Sequence, residues 1–496
     1  MTLDSSFPSV TRTHCLRAIL ALGLLGPLAA MTRAQEPSAL ETAAAMEKTL
    51  VDVIARSEKS VVAIARVRIE RPGDTFGFEI RPDPFGGRPV PATSAQPTDP
   101  DFVPNEYGTG VVVGPGLILT AYHVLGEQSE YYVTTHDRKV YRAWIKGADP
   151  RSDLAVLGIE ANGLPPIKFG NAGEVKKGQI VVALGNPYAI ARDGQVSAGW
   201  GIVSNLSRKA PPVPEQSDSS GKPTLHHFGT LIQTDAKLNL GTSGGPLLNL
   251  QGDMIGLSVA LAATAGYETA TGYAIPVDAT FRRVVETLKQ GREVEYGFLG
   301  IQPSNLQPRE ILTGMHGIRV YRVVPGTPAA RYGLRENDVV TAVDGTPIYE
   351  ADGLVLEVGK LPVEAVARLS VLRNQRKRTV PVTLAKYPVR GRKVVTFPSP
   401  DWRGLRVDYP TAFVETDVHA RSGLAFFDEG VVVTDVAEST PAWEAGLRRG
   451  TFITHLGRTA VRTPKEFHRA AGREIGPVQL RVADDENPVR TVESTR

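Results

Sequence analysis

The sequence predicts a mostly β protein in which a large domain of short strands is followed by two copies of a smaller α+β unit. Between residues 108 and 276, short apolar runs alternate with Gly, Asn and Pro, without helical periodicity between them. Many short strands without intervening helices are typical of an all-β barrel or sandwich. In residues 298–496 a set of motifs occurs twice, which indicates a duplicated domain.

The two copies of the smaller unit are offset by 113 residues, so that the segment 327–329 (TPA) recurs as 440–442 (TPA). Thr followed by Pro is typical of a helix start, with Thr as the N-cap and Pro at the first helical position. Gly333 and Gly446 follow where a helix C-terminus favours a left-handed residue. Each copy is therefore predicted to contain a strand, a turn, a short helix and a further strand.

The N-terminus has the pattern of a secretory signal peptide. Arg12 and Arg17 precede an apolar run at residues 18–30, which is too short to span a bilayer, and residues 32–34 (TRA) offer small residues for cleavage. We assign residues 1–34 to a signal peptide, with an uncleaved N-terminal anchor as the alternative. The mature chain is expected to be exported and to have no stable membrane span.

The composition argues against several classes of protein. The chain has 496 residues, enough for about three domains. Its 56 Lys and Arg nearly balance its 53 Asp and Glu, and no basic run appears, so a nucleic-acid partner is not expected. The only cysteine, Cys15, lies in the predicted signal peptide. We therefore expect no disulfide, no metal and no cofactor.

Elements outside the strand-rich region can also be placed. Residues 39–56 and 279–290 have helical spacing, and residues 60–68 are β-branched like a strand. Residues 70–106 hold eight prolines and predict a long exposed loop. Residues 389–400 predict a short linker between the two repeated units.

Three motifs in the β region carry candidate chemistry. His123 follows an apolar strand, Asp153 precedes another, and Ser243 lies in the segment GTSGG at 241–245. A serine hydroxyl needs a neighbouring base to remove its proton, histidine suits this role near neutral pH, and a carboxylate orients the imidazole. Glycines around Ser243 would let the amides of Gly241 and Ser243 converge on one oxygen, as in an oxyanion hole.

Each motif alone has an ordinary explanation, as a core or polar histidine, a turn aspartate or a glycine-rich turn. Their occurrence together, in the order His, Asp, Ser, favours a serine hydrolase site. His226 and His227 are predicted to lie in a loop without a carboxylate or cysteine partner, so they do not suggest a metal site.

On these residues the chain resembles the HtrA (high-temperature-requirement) serine proteases. The similar blocks include GTGVVVGPGLILTAYHVL at 108–125, DPRSDLAVLGI at 149–159 and LIQTDAKLNLGTSGGPLLNLQGDMIGLSVA at 231–260. The resemblance implies a chymotrypsin-like double β-barrel protease domain at 35–296, a first PDZ domain at 297–388 and a divergent second PDZ domain at 401–496.

The resemblance also implies roles for individual residues. His123 would be the base, Asp153 its orienting carboxylate and Ser243 the nucleophile, while Gly241, Thr242 and Ser243 would form the oxyanion loop. The remaining implied site residues are those of an apolar substrate pocket (Leu238, Leu261 and Ala262) and those of a loop that binds peptide carboxylates (Phe298, Leu299, Gly300 and Ile301).

The leading hypothesis is an exported, ATP-independent serine endopeptidase, periplasmic or extracytoplasmic, that cleaves unfolded proteins and recognises C-terminal peptides through its first PDZ domain. The resemblance further implies a homotrimer or a higher oligomer. The alternative is a peptide-binding chaperone or scaffold with an idle protease domain, and a structural stalk protein is a third possibility. The complete His, Asp and Ser set favours the enzyme, because an idle site does not require all three.

Overall fold

In a computed structural model of the chain, the described residues are 38–69, 106–186, 194–210, 222–259, 271–398, 401–413, 430–483 and 488–494. The predicted signal peptide and residues 70–105 of the predicted Pro-rich loop lie outside them. The first helix, α1, spans Ala39–Ser57, and a 3₁₀ turn at Glu58–Ser60 leads from it into the first strand. None of the described helices is long and apolar enough to cross a membrane.

The first half of the strand-rich region is a closed six-stranded barrel. Its strands pair in the order β5-β4-β1-β2-β3-β6, and β5 pairs again with β6 to close it. The strands are β1 (Val61–Arg68), β2 (Glu106–Gly114), β3 (Leu117–Ala121), β4 (Ser129–Thr134), β5 (Val140–Asp149) and β6 (Leu154–Ile159). Strand β6 is buried along its whole length, so the strands at its two sides are fixed in register by a continuous apolar core.

The second half is another closed barrel, with the strand order β10-β11-β12-β9-β8-β7. Its strands are β7 (Ile180–Gly185), β8 (Ser197–Arg208), β9 (Leu231–Thr234), β10 (Pro246–Leu248), β11 (Met254–Val259) and β12 (Gly272–Pro276). Helix α2 (Ala279–Lys289) follows, with the Asp278 side chain accepting from the Phe281 amide at 2.8 Å as an N-cap. The predicted mostly β fold with a double barrel is confirmed.

The first of the repeated units is built on a five-strand path, β14-β15-β16-β18-β19, with β17 paired to β16. Its strands are β13 (Gly297–Phe298), β14 (Ile301–Asn305), β15 (Ile318–Val323), β16 (Val339–Val343), β17 (Thr346–Pro347), β18 (Val366–Arg373), β19 (Arg376–Thr383) and β20 (Ala385–Lys386). Its helices are α3 (Pro308–Leu312), α4 (Pro328–Arg331) and α5 (Ala351–Lys360).

The second repeated unit has the same topology, with strand order β22-β23-β24-β26-β27 and β25 paired to β24. Its strands are β22 (Leu405–Asp408), β23 (Val431–Val436), β24 (Phe452–Leu456), β25 (Thr459–Ala460), β26 (Val478–Val482) and β27 (Val489–Val492), and its helices are α6 (Pro441–Glu444) and α7 (Pro464–Ala471). As the repeat predicts, Thr327 and Thr440 are the N-caps of α4 and α6, and Gly333 and Gly446 are left-handed.

The segment between the two units is not a plain linker. Val394 and Val395 form a strand, β21, that pairs with Ala148 and Gly147 of β5 and so extends the sheet of the first barrel. The sequence predicts only a short linker here, and the structure adds a strand within it. A free edge on β5 offers main-chain partners to any extended segment that reaches it.

Candidate active site

The first barrel brings His123 beside Asp153. Strand β3 ends at Ala121, a 3₁₀ turn at Tyr122–Val124 carries His123, and Ala121 pairs with Leu154 at the start of β6. The Tyr122 amide donates to the Asp153 carbonyl oxygen at 2.9 Å, which fixes the two turns against each other. Asp153 has φ +55°, a left-handed conformation that Asp tolerates better than most residues, and its side chain is buried.

The Asp153 carboxylate holds His123 through both the ring and the backbone. Nδ1 of His123 lies 2.8 Å from Oδ2 and 3.0 Å from Oδ1, and the His123 amide donates to Oδ1 at 3.0 Å. A carboxylate can only accept, so the proton of neutral His123 sits on Nδ1 and Nε2 keeps its lone pair. About a third of the His123 side chain is exposed, which leaves the ring accessible as a base.

The pKa values of this pair move in opposite directions. Burial lowers the pKa of His123, but the charge and hydrogen bond of Asp153 outweigh it, so this pKa lies above its ordinary value of 6.5. Burial raises the pKa of Asp153, and the charge and hydrogen bonds of His123 outweigh that effect and hold it below its ordinary value. Each partner therefore stabilises the charged form of the other.

The loop that carries Ser243 is wedged between the two barrels. The Ser243 carbonyl oxygen accepts from the Thr109 amide of β2 at 2.9 Å, and the Gly244 amide donates to the Ser258 carbonyl of β11 at 2.9 Å. The Thr109 carbonyl in turn accepts from the Thr120 hydroxyl of β3 at 2.7 Å, two residues before the turn that carries His123. Ser243 is 6% exposed, so it is buried and does not lie on an open turn.

Two glycines of this loop have no acceptable replacement. Gly241 has φ +91°, and a Cβ there would lie 2.3 Å from the Asn186 carbonyl oxygen. Gly244 has φ +89°, and a Cβ there would lie 2.0 Å from the Thr109 carbonyl oxygen. Both the conformation and the close approach of backbone therefore require glycine.

The predicted oxyanion loop is held by a threonine that the sequence motifs do not single out. The Thr109 hydroxyl donates to the Gly241 carbonyl at 2.7 Å and accepts from the Asn186 amide at 2.8 Å, and its side chain is buried. The Thr242 amide and hydroxyl both donate to the Asn239 carbonyl, so Thr242 shapes the turn from inside. Among the described residues, no acceptor takes the Gly241 amide.

His226 is a second imidazole at this site, and its sequence context gave no signal of it. The predicted loop is a 3₁₀ helix, Leu225–Phe228, which begins at the N-cap Thr224. His226 Nε2 lies 2.7 Å from the Ser152 carbonyl oxygen, 74 positions earlier in the chain, and Nδ1 lies 2.8 Å from the Thr230 hydroxyl. Nε2 is therefore the donor, because a carbonyl only accepts, and the Thr230 hydroxyl donates to Nδ1.

Of the predicted pocket residues, only Leu238 is described, since Leu261 and Ala262 lie outside the described residues. Leu238 is partly buried against the core of the second barrel and packs over Gly272 of β12. Groups of three or more His, Cys, Asp or Glu side chains that could hold a metal are absent from the described part of the chain.

The predicted carboxylate-binding loop lies at the start of the first repeated unit. Phe298 pairs with Ala385, Leu299 is buried, and Gly300 is left-handed with φ +86°. Two bonds shape the loop, since the Ala329 amide donates to the Leu299 carbonyl at 2.9 Å and the Val324 amide to the Gly300 carbonyl at 3.0 Å. Ile301 begins β14, which is an edge strand of its sheet.

In the second unit the same loop is closed upon itself. Gly404 takes the place of Gly300, and the amide of the next residue, Leu405, donates to the Trp402 carbonyl at 3.0 Å. Arg403 is 8% exposed, and its guanidinium donates to the Val492 and Gly476 carbonyls at 2.6 Å each. This arginine fastens the loop to the end of its own domain.

Comparison with known proteins agrees with this architecture. A family model described as a trypsin-like peptidase domain matches residues 108–257, and one described as a PDZ domain matches residues 297–384. A DegP-like periplasmic serine endoprotease of Chlamydia trachomatis serovar D is 30% identical over 440 residues, which cover 86% of this chain and 82% of that protein. A DegP-like relative from Pseudomonas fluorescens is 33% identical over 369 residues, 73% of each chain.

Solved structures share the fold. The HtrA-type protease AlgW with a tripeptide has a TM-score of 0.51 at 24% identity and covers 68% of this chain and 97% of its own. AlgW with a decapeptide has a TM-score of 0.50 at 24% identity and covers 68% and 99%. The relatives above show the family. The chain belongs to the DegP-like serine endoproteases, and in it a trypsin-like peptidase domain is followed by a PDZ domain.

Proposed function

We propose that this protein is an exported, periplasmic endopeptidase that hydrolyses unfolded polypeptides without ATP, with His123, Asp153 and Ser243 as its catalytic triad. The observation that carries the proposal is the hold of a buried carboxylate on Nδ1 of His123, at 2.8 Å, which leaves Nε2 as the basic nitrogen. The periplasmic location is that of the named relatives.

In the acylation half of the reaction, Nε2 of His123 takes the proton of the Ser243 hydroxyl while Oγ attacks the substrate carbonyl carbon. The carbonyl π electrons move onto oxygen, and we assign the stabilisation of that oxyanion to the amides of Gly241 and Ser243. His123 then gives its proton to the leaving amine, the C–N bond breaks, and an ester to Ser243 remains.

In the deacylation half, His123 takes a proton from water, whose oxygen attacks the ester carbonyl. Collapse of the second tetrahedral intermediate breaks the bond to Ser243 Oγ, which recovers its proton from His123. Asp153 stays ionised throughout and stabilises the imidazolium in both halves, because burial removes competing water from their hydrogen bonds. With Leu238, Leu261 and Ala262 as its wall, the primary pocket would favour small or medium aliphatic side chains.

We assign recognition of substrate C-termini to the first PDZ unit. A peptide would add as a strand to the edge of β14, with its carboxylate on the amides of the loop 298–301. Gly300→Ala tests this, since its Cβ would meet the Thr327 side chain at 2.1 Å. Gly314→Ala is a matched control, because Gly314 has a similar φ, +84° against +86°, and open space around it. Fluorescence anisotropy with a labelled C-terminal peptide should show weaker binding only for Gly300→Ala.

The second PDZ unit is proposed to serve packing or assembly. Its Leu405 amide and its Arg403 side chain are already bonded within the unit, so the loop offers less to a peptide carboxylate. Assembly into a homotrimer or a higher oligomer is part of the same proposal. Light scattering at micromolar concentration checks it, and a monomer there would contradict it.

The endopeptidase proposal and the chaperone alternative differ in one experiment. Wild-type protein should cleave denatured casein, and Ser243→Ala should bind it without cleaving it, because the substitution removes only the nucleophilic oxygen. Identical purification of both proteins controls for contaminating proteases. If wild type binds casein but never cleaves it, even when warmed with an activating peptide, the chaperone alternative is the better account.

A further inference from the structure

The end of strand β5 and the turn after it lead to Asp153, and the chain on either side of the first PDZ unit contacts each of these residues, 146–151. We call residues 291–296 the leading segment and residues 387–397 the trailing segment. Two hydroxyl groups donate to this stretch, that of Thr396 to the Lys146 carbonyl at 2.6 Å and that of Tyr296 to the Asp149 carboxylate. Val395 and Val394 pair as strand residues with Gly147 and Ala148. Gly391 lies against Pro150, and the Tyr387 ring centre lies 3.9 Å from the Arg151 guanidinium.

The leading and trailing segments are also hydrogen-bonded to each other, so they support residues 146–151 together. The Tyr387 amide donates to the Tyr296 carbonyl at 2.7 Å, and the Phe397 amide donates to the Gly291 carbonyl at 2.8 Å. Tyr122, the residue before His123, also contacts the trailing segment, because its hydroxyl donates to the Arg392 carbonyl at 3.1 Å.

Asp149 is the polar centre of this contact. Its carboxylate is 1% exposed, and its Oδ2 accepts from the Ser152 amide at 2.8 Å, from the Ser152 hydroxyl at 2.6 Å and from the Tyr296 hydroxyl. Its Oδ1 is buried without a hydrogen-bond partner among the described residues. Burial of a carboxylate with one unpartnered oxygen costs free energy, and the three donors to Oδ2 offset part of that cost. Loss of one of these donors therefore destabilises the buried carboxylate further.

We propose that Asp149 and Tyr296 are positioning residues for peptide hydrolysis, and that through them the attachment of the first PDZ unit holds the catalytic carboxylate in place. Asp149 accepts hydrogen bonds from Ser152, the residue before Asp153. Asp153 has a left-handed backbone conformation, which persists only where the surrounding structure holds it. Tyr296 is fully buried, and burial together with Asp149 raises its pKa far above the ordinary value, so its hydroxyl keeps the proton that it donates.

The inference rests on the proposed peptidase function and is tested with the full chain and a short chromogenic peptide that does not require the PDZ unit. Tyr296→Phe removes only the hydroxyl and keeps the ring that faces Arg283. We expect kcat to fall about tenfold with KM within about twofold, because a shifted catalytic group changes the transition state more than substrate binding. Ser152→Ala, which removes another donor to the same oxygen, should give the same split.

Tyr409→Phe is the matched control, because the Tyr409 hydroxyl also donates to a carboxylate, that of Glu364 at 3.0 Å, within the PDZ units. It should leave kcat unchanged. In the Asp149→Ala background, which has no side-chain acceptor, Tyr296→Phe should lose most of its effect, and this would show that the two residues act through each other.

An unchanged kcat in folded Tyr296→Phe and Ser152→Ala would overturn the inference, as would an equal fall in Tyr409→Phe. If Tyr296→Phe does not fold, Ser152→Ala alone decides. A wild-type enzyme that never cleaves the peptide would count instead against the proposed function, so the two failures are distinguishable.

Discussion

Two imidazoles flank the loop that carries Asp153, and the structure holds them in opposite ways. His123 donates Nδ1–H to the Asp153 carboxylate and is a third exposed, with Nε2 basic. His226 is buried between the Ser152 carbonyl and the Thr230 hydroxyl, and Nε2 is its donor. One ring is poised to take a proton at Nε2, and the other already has its proton there.

The pKa values of the two histidines are also shifted in opposite directions. The pKa of His123 is raised, since Asp153 outweighs burial. The pKa of His226 is lowered, because burial outweighs its bond to Ser152 and the nearby charges of Asp153, Asp278 and Asp149. The hydrogen-bond partner of each ring, and not its proximity to the Asp153 carboxylate, decides which nitrogen carries the proton and in which direction the pKa moves.

The largest expected effect comes from the same substitution at both positions. His123→Gln should lower kcat by about 10⁴-fold or more, because an amide cannot accept the serine proton. His226→Gln should stay within about tenfold of wild type, because a glutamine amide can still donate to the Ser152 carbonyl. Steady-state hydrolysis of a chromogenic peptide measures both. Comparable losses of kcat in the two variants would contradict the proposal that His123 is the base and His226 is not.

A second prediction concerns the pH dependence of hydrolysis. The kcat/KM should rise with pH through the pKa of His123, which lies above 6.5, because only neutral His123 can act as a base. His226→Gln should leave this limb in place, since His226 is neutral in that range. A flat profile between pH 5 and 8 on a substrate whose chemistry is rate-limiting would contradict a histidine base.

The smallest expected effect is on stability, because the two histidines change the free energy of unfolding with pH in opposite directions. The raised pKa of His123 contributes stability that is present below its unfolded value and lost as pH rises through the folded pKa. The lowered pKa of His226 gives stability above the unfolded value, and this is lost as pH falls towards the folded pKa.

Denaturant unfolding of wild type and His226→Gln from pH 7 to pH 5 isolates the second contribution. Wild type should lose more stability than the variant on acidification, by at most about 1.4 kcal/mol per pH unit for one proton. Parallel curves for the two proteins would show that burial of His226 does not oppose its protonation.

Sequence reasoning was strongest where chemistry is local. The strand-rich region, the duplicated unit and the helix starts at Thr327 and Thr440 follow from short patterns of apolar residues, Pro and Gly. The double barrel and the PDZ topology were implied by the family resemblance. Three short motifs and their order indicated His123, Asp153 and Ser243, and the resemblance implied the role of each. The structure brings the first two into hydrogen-bond contact and holds the third between the barrels.

Contacts distant in sequence could not be predicted in this way. Thr109 has no feature that links it to Gly241, 132 positions later. The partner of Tyr296 is 147 positions away, and the strand β21 lies in a segment whose composition suggests a linker. Each depends on how the barrels and PDZ units pack, and a single sequence does not encode that packing in any local pattern.

The most direct test of the central claim is to label the protein with a serine-reactive fluorophosphonate and to locate the adduct by mass spectrometry. We expect one modified residue, Ser243, with labelling lost in His123→Gln and retained in His226→Gln. An adduct on another serine, or equal labelling of all three proteins, would contradict the assignment of Ser243 as the nucleophile and His123 as its base.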